Sequence, residues 1–87
     1  MSLRFPNPNR FYDPTRRAVR FWGHDSAMEW SFYVHEETLG NIQPEMCRDE
    51  ASALAAFDRN LDRIHAAAAR AYGRGRKGSY DLMAADF

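Results

Sequence analysis

Between residues 17 and 35, apolar and polar side chains alternate with the period of two that belongs to a half-buried β-strand. Val19 and Phe21 fall on one side of the first run, with Ala18, Arg20 and Trp22 on the other. In the second run Met28, Trp30, Phe32 and Val34 oppose Glu29, Ser31, Tyr33 and His35. His24-Asp25-Ser26-Ala27 joins the two as a turn, which predicts an antiparallel hairpin. With Asp25-Ser26 at the tip, Gly23 faces Met28, Phe21 faces Trp30 and Val19 faces Phe32. A slip by one residue would mix the two faces, so the pattern selects the pairing.

From residue 50 the period lengthens. Leu54, Phe57, Leu61, Ile64, Ala68 and Ala71 or Tyr72 recur at three- and four-residue steps, while Asp58, Arg59, Asp62, Arg63 and Arg70 fill the polar side. This predicts one helix over 50–72, with Asp49 as its N-cap, Glu50 in its first turn and Gly73 following as a left-handed C′ residue. Glu36-Glu37-Thr38-Leu39 starts a short helical turn that ends near Gly40-Asn41, before Pro44 breaks the chain. Ser79 to Met83 reads as a last strand with Tyr80 and Leu82 on one face. Phe5, Phe11 and Tyr12 stand among prolines, which suits an edge strand or an extended arm. Asp13-Pro14-Thr15-Arg16 has the residues of a type I turn. The apolar sheet face and the apolar helix stripe each need a partner, and each is the nearest available to the other. The expected fold is a single α+β domain over 1–87. It comprises a small antiparallel sheet of three to four strands packed on one long C-terminal helix, with a short additional helical turn.

Composition narrows the class. The chain has 87 residues, 45% hydrophobic and 14% aromatic, enough for a core in one domain. No apolar run approaches the roughly 20 residues of a bilayer span, and the first residues lack the apolar stretch of a secretion signal. Cys47 is the only cysteine, so an intrachain disulfide is excluded and a half-buried thiol is expected. These features point to the cytoplasm, with no membrane association. Formal net charge is zero, which argues against a dedicated nucleic-acid binder. The charge is nevertheless segregated: Asp25, Glu29, Glu36, Glu37, Glu45, Asp49 and Glu50 form an acidic middle between basic ends. Such blocks suit segments that neutralise one another within a fold or between subunits.

The runs Ala18-Val19-Arg20-Phe21-Trp22-Gly23-His24-Asp25-Ser26, Ala53-Leu54-Ala55-Ala56-Phe57-Asp58 and Arg76-Lys77-Gly78-Ser79-Tyr80, with the closing Asp86-Phe87, resemble a family of short bacterial proteins. It is the one catalogued as domain of unknown function 1488. The resemblance spans nearly the whole chain and implies an α+β fold with a sheet on a long helix. It implies no reaction, ligand or site residue, because its motifs specify strand, helix and turn rather than chemistry.

Candidate chemistry is sparse. Gly73-Arg74-Gly75-Arg76-Lys77-Gly78 matches G-x-G-x-x-G, but it follows a helix and precedes a strand, the reverse of a dinucleotide site. Arg70, Arg74, Arg76 and Lys77, near Tyr72 and Tyr80, are candidate contacts for an anion or a nucleic acid, and Arg16, Arg17, Arg20 and Trp22 form a second basic-aromatic cluster. His24, His35 and His65 lack the spacing of a metal site, and His65 falls at the border of the helix stripe. Cys47 has no adjacent base and no serine has a nucleophile-elbow context. No catalytic, cofactor-binding or metal-binding residue is therefore assigned, and the balance leans away from an enzyme.

The second sheet face is the preferred lead. Arg20, Trp22, Glu29, Tyr33 and His35 line it, a set suited to protein contact. Either this face is open to a partner or the N-terminal arm folds over it with Phe5 or Phe11. The expected role is a non-catalytic protein-interaction or regulatory module that binds a protein partner or self-associates. The alternative is a nucleic-acid-associated protein using the two arginine-aromatic clusters.

Overall fold

The computed structural model describes residues 3–6, 9–26, 28–47, 49–74 and 78–87. In chain order the elements are β1 (Arg10–Asp13), β2 (Ala18–Asp25), β3 (Met28–His35), α1 (Glu36–Ile42), α2 (Glu50–Arg59), α3 (Leu61–Gly73) and β4 (Ser79–Leu82), with a closing 3₁₀ turn at Ala84–Asp86. The strands form one four-stranded sheet in the order β1-β2-β3-β4. The α+β architecture and the packing of the C-terminal helical segment on the sheet follow the hydrophobic pattern.

The predicted alternation decides which side of each strand is buried. Val19, Phe21, Phe32, Val34, Tyr80 and Leu82 point inward and meet Leu39 of α1, Ala53, Ala56 and Phe57 of α2, and Ile64, Ala67, Ala68, Ala71 and Tyr72 of α3. Phe21 is the hub, with its ring centroid 5.4 Å from Phe32 and 5.2 Å from Phe57. Full burial of a side chain of this size contributes about 1.5–3 kcal/mol. Trp30 also lies on this side, partly buried, with its ring 5.9 Å from Tyr72.

The hairpin register differs from the expected one. Asp25 pairs with Met28, Gly23 with Trp30, Phe21 with Phe32 and Val19 with Val34, a shift of two residues. His24 and Asp25 belong to the strand, so only positions 26 and 27 connect it; Ala27 lies outside the described residues. Ser26 takes φ 56, the left-handed value that a two-residue hairpin loop requires. A two-residue shift preserves every face, so burial alone cannot separate the two registers.

The sheet is mixed rather than antiparallel throughout, because β4 lies parallel to β3. The helices carry the chain back across one face, so the returning strand runs in the direction of β3. The helical stretch is divided at Asn60, which has φ −109 and ψ 23. The Asn60 side-chain amide donates to Ala56 O at 2.9 Å and to Gln43 Oε1 at 3.0 Å, competing with the backbone ladder. Leu61 follows the break and is 38% exposed, so it leaves the predicted stripe. The N-cap is as expected, with Asp49 Oδ1 accepting from Ser52 N at 2.8 Å. Gly73, however, is the last residue of α3 and has no left-handed φ; the cap is Arg74, with φ −83.

The two ends of the chain secure the layers. Arg4 and His24 exchange backbone hydrogen bonds of 2.8 and 2.7 Å, which lays the N-terminal arm beside β2. Phe5 goes to the core side, stacked on His65 with centroids 3.9 Å apart and planes 4° from parallel. Gly23 permits this close approach, since a Cβ there would stand 2.9 Å from Leu3 Cδ1, 3.0 Å from Phe32 Cε1 and 3.1 Å from Phe5 Cε1. On the helical side, Tyr72 donates to Asp25 Oδ2 at 2.6 Å, and Arg10 holds Asp58 of α2 through Nε and Nη2 at 2.9 and 2.8 Å.

Gly23→Ala is expected to destabilise the fold by about 1–3 kcal/mol, the usual cost of overpacking, read as a lower denaturant midpoint. Burial against Phe5 pushes the His65 imidazole below its ordinary pKa, opposed by nearby Asp62. The unfolded chain then binds the proton more readily than the folded one. Stability should therefore fall as pH drops below the unfolded value of about 6.5 and level off below the depressed folded value. Stability measured between pH 7.5 and 5 on the unmodified protein and on His65→Phe should differ in slope, with the variant flatter.

Candidate functional site

Because strand residues alternate, the face away from the helices is set by the same register that builds the core. Pairing aligns Phe11, Arg20, Tyr33 and Asp81 in one row across all four strands. Trp22, Ser31 and Ser79 form the next row, and His24 lies opposite Glu29. The predicted surface residues Arg20, Trp22, Glu29, Tyr33 and His35 therefore share this face. Phe11 joins them and is 57% exposed. Since Phe5 lies on the core side, neither aromatic of the arm closes the outer face.

Arginines organise the middle of the face. The Arg20 guanidinium sits 5.1 Å from the centroid of Trp22 and 5.8 Å from that of Tyr33, and Arg16 covers Tyr33 at 4.6 Å. Tyr33 is consequently buried, whereas Trp22 remains partly open. Arg20 Nη2 donates to Ser31 Oγ at 2.9 Å, but its Nε is buried without a hydrogen-bond partner. Among the described residues Arg20 has no carboxylate within ion-pair distance, whereas Arg16 is held by Asp13 at 3.0 Å. Asp13 is thereby kept below the usual carboxylate range, chiefly by the Arg16 side-chain hydrogen bond. At the sides of the face, His24 Nε2 lies 3.2 Å from Glu29 Oε2 and His35 Nε2 lies 2.8 Å from Asp81 Oδ1.

The parallel pair β3–β4 ends in a groove. One depression of about 470 Å³ is lined by His35, Glu37, Thr38, Asn41, Asp81, Met83 and Ala84. A second of about 250 Å³ is lined by Arg16, Arg17, His35, Glu36 and Glu37. They share His35 and Glu37, so they adjoin. Thr38 Oγ1 donates to Leu82 O at 3.1 Å and fixes α1 against the end of β4. Glu36 is only 3% exposed. Its Oε2 accepts from the Tyr12 hydroxyl, which that carboxyl holds above the usual phenol range. Its Oε1 has no hydrogen-bond partner but forms an ion pair with Arg17 Nε at 3.6 Å. Sequence reasoning placed Glu36 in a helical turn but gave no sign of its burial, which comes from Tyr12 on a distant strand.

The predicted anion contacts divide. Arg70 Nε donates to Asp86 O at 2.8 Å, and Arg74 forms an ion pair with Asp86 Oδ1, whose other oxygen accepts from Met83 N at 2.8 Å. Asp86 is 2% exposed, so these two arginines anchor the C-terminal turn to α3. Arg76 and Lys77, with Gly75, lie outside the described residues. The glycine-rich run joins the end of α3 to the start of β4, as the sequence order required. Arg70 and Arg74 belong to the helical layer, whereas Arg16, Arg20 and Trp22 gather on the opposite face of the sheet. Cys47 is exposed rather than half-buried. Among the described residues, no group of three or more His, Cys, Asp or Glu side chains is placed to hold a metal ion, and no helix is long and apolar enough to cross a membrane. Asp86→Ala should release Arg74 and the Met83 amide, leave the Arg70 contact to the main-chain carbonyl in place, and lower stability by about 1.5–3 kcal/mol, the range for hydrogen bonds to a charged group, measurable by chemical denaturation.

Comparison with known proteins places this geometry. A crystal structure of a protein of unknown function from the DUF1488 family of Shewanella loihica PV-4 is similar, with a TM-score of 0.81 at 18% sequence identity. The superposition covers 93% of this chain and 91% of that one. No curated protein matches the sequence. The family model described as protein of unknown function (DUF1488) matches residues 3–83, and the chain belongs to that family.

Proposed function

We propose that this protein is a non-catalytic interaction module that self-associates through the open face of its sheet. The observation that carries this reading is the asymmetry of the two sheet faces. One is filled by three helices, while the other presents Phe11, Trp22 and a stacked Arg20. Aromatic and arginine side chains dominate binding energy where protein surfaces meet. The charge layout favours a second copy as the occupant. A two-fold axis parallel to the strands would lay the β1–β2 half, with Phe11, Arg20 and Trp22, over the partner's β3–β4 half, with Glu29 and Asp81. Such a contact is isologous and closes on itself, and it would supply the carboxylate that Arg20 lacks.

Light scattering and sedimentation across a concentration series test the reading. A dimer is expected, with Phe11→Ser and Trp22→Ala each weakening association at least about tenfold, equivalent to roughly 1.4 kcal/mol. A monomer up to millimolar concentration overturns it. A second reading, nucleic-acid association, draws on the same unpaired Arg20 beside Trp22. Its weakness is that Arg70 and Arg74 are engaged by Asp86 on the other layer. A mobility shift that persists at physiological salt and is lost in Arg20→Glu would favour it over self-association.

A further inference from the structure

We infer that the N-terminal arm is a strap over the Gly23 notch of β2, closed while His65 is neutral and released when His65 takes up a proton, with the core left folded. β1 pairs with β2 as far as Phe21, and beyond it Arg4 pairs with His24. That bridge consists of the hydrogen bonds from Arg4 N to His24 O at 2.8 Å and from His24 N to Arg4 O at 2.7 Å. Pro6 follows within two residues and has no N–H with which to extend the ladder. The arm is otherwise held by Leu3 and Phe5, both partly buried against the core.

Phe5 rests on a titratable ring. Its centroid lies 3.9 Å from that of His65 with the planes 4° apart, against 6.0 Å and 39° for Phe21 and 6.3 Å and 58° for Phe32. Gly23 makes this seat, since a Cβ there would stand 2.9 Å from Leu3 Cδ1 and 3.1 Å from Phe5 Cε1. The Phe5 ring covers one face of the imidazole and offers an imidazolium no acceptor, so burial holds the His65 pKa below its ordinary value. Asp62 on the same helix opposes that effect without cancelling it. From the arm and β2, the rings of Phe5 and Phe21 face His65. The charged or titratable residues at the bridge itself are Arg4 and His24, and His24 is set against Glu29. On α2, Asp58 is neutralised by Arg10 of β1.

Release of the arm returns the imidazole to solvent, where it binds a proton with its ordinary affinity. The released form therefore takes up more protons than the closed form as pH falls through about 6.5, and acid shifts the balance towards release. Departure of Leu3 and Phe5 leaves the central contacts in place, because Phe21, Phe32 and Phe57 pack on one another at 5.4 and 5.2 Å without them. Such an opening is local and belongs to the low end of the range of stabilities within one fold. It uncovers the Phe32 ring beside Gly23 and the backbone of β2 at His24, a strand edge left without its neighbour.

The test is amide hydrogen exchange on the full chain, expressed as protection factors so that the intrinsic pH dependence of exchange is removed. At about pH 7.5 the Arg4 and His24 amides should be less protected than those of Phe32 and Ala68. Low concentrations of denaturant should leave the arm values unchanged, as for a local opening. Between about pH 7.5 and about pH 5 protection of Arg4 and His24 should fall at least about threefold. His65→Phe keeps a ring beneath Phe5 without a proton site, and should hold the arm's protection level across that range. Phe5→Ala should lower it at both pH values. Arm amides as protected as the core overturn the inference, as does protection indifferent to pH or unchanged by Phe5→Ala. A pH response that survives in His65→Phe would belong to His24 and overturns it equally.

Discussion

Phe21, Phe32 and Phe57 meet between the two layers, and their contact dictates which side every other strand residue occupies. Once Phe21 is committed to the helices, Arg20 and Trp22 must face outward, and the pairing of β2 with β3 sends Ser31, Tyr33 and His35 with them. The aromatic packing therefore does two jobs. It supplies burial, and it determines the composition of the opposite surface without touching it. The arm reinforces the arrangement, since Phe5 inserts between His65 and Phe21 through the space left by Gly23.

This dependence explains what the sequence revealed. Period-two alternation is a statement about faces, and the faces of β2 and β3 are as the pattern required. It says nothing about even-numbered shifts, so the pairing could be displaced by two residues without any contradiction in hydrophobicity. The direction of β4 was equally invisible. Its Tyr80 and Leu82 alternate identically whether the strand runs up or down, and only the path through the helices orients it. The break at Asn60 was hidden for a related reason: Phe57 and Ile64 stay seven residues apart, and a small interruption between them leaves the stripe nearly continuous.

Charge was harder to read than hydrophobicity. Basic and acidic blocks predicted mutual neutralisation, but among the described residues Arg17–Glu36 is the one arginine ion pair that reaches the acidic middle; Arg10–Asp58, Arg16–Asp13 and Arg74–Asp86 use carboxylates outside it. Arg70 and Arg74 looked available because Asp86 lies beyond the strand that separates them in sequence. Nothing in the sequence marked Glu36 for burial, since a glutamate at the start of a short helix is usually exposed. Its burial comes from β1 crossing beside it, which places Tyr12 within hydrogen-bonding reach. The open face was legible as a set of residues, while Phe11 was assigned either to cover it or to leave it and in fact belongs to it.

The parallel pairing of β3 with β4 has a kinetic corollary. The β2–β3 hairpin closes over two residues, but β4 reaches its neighbour only after all three helices have been traversed, so that His35 meets Asp81 across 46 positions in the chain. Contacts of high sequence separation form after local ones, because the entropy of closing the intervening loop must first be offset. Docking of the last strand completes the wall beside His35, to which it contributes Asp81. The groove therefore exists only while the carboxyl-terminal strand is docked, because Asp81, Met83 and Ala84 form part of its lining.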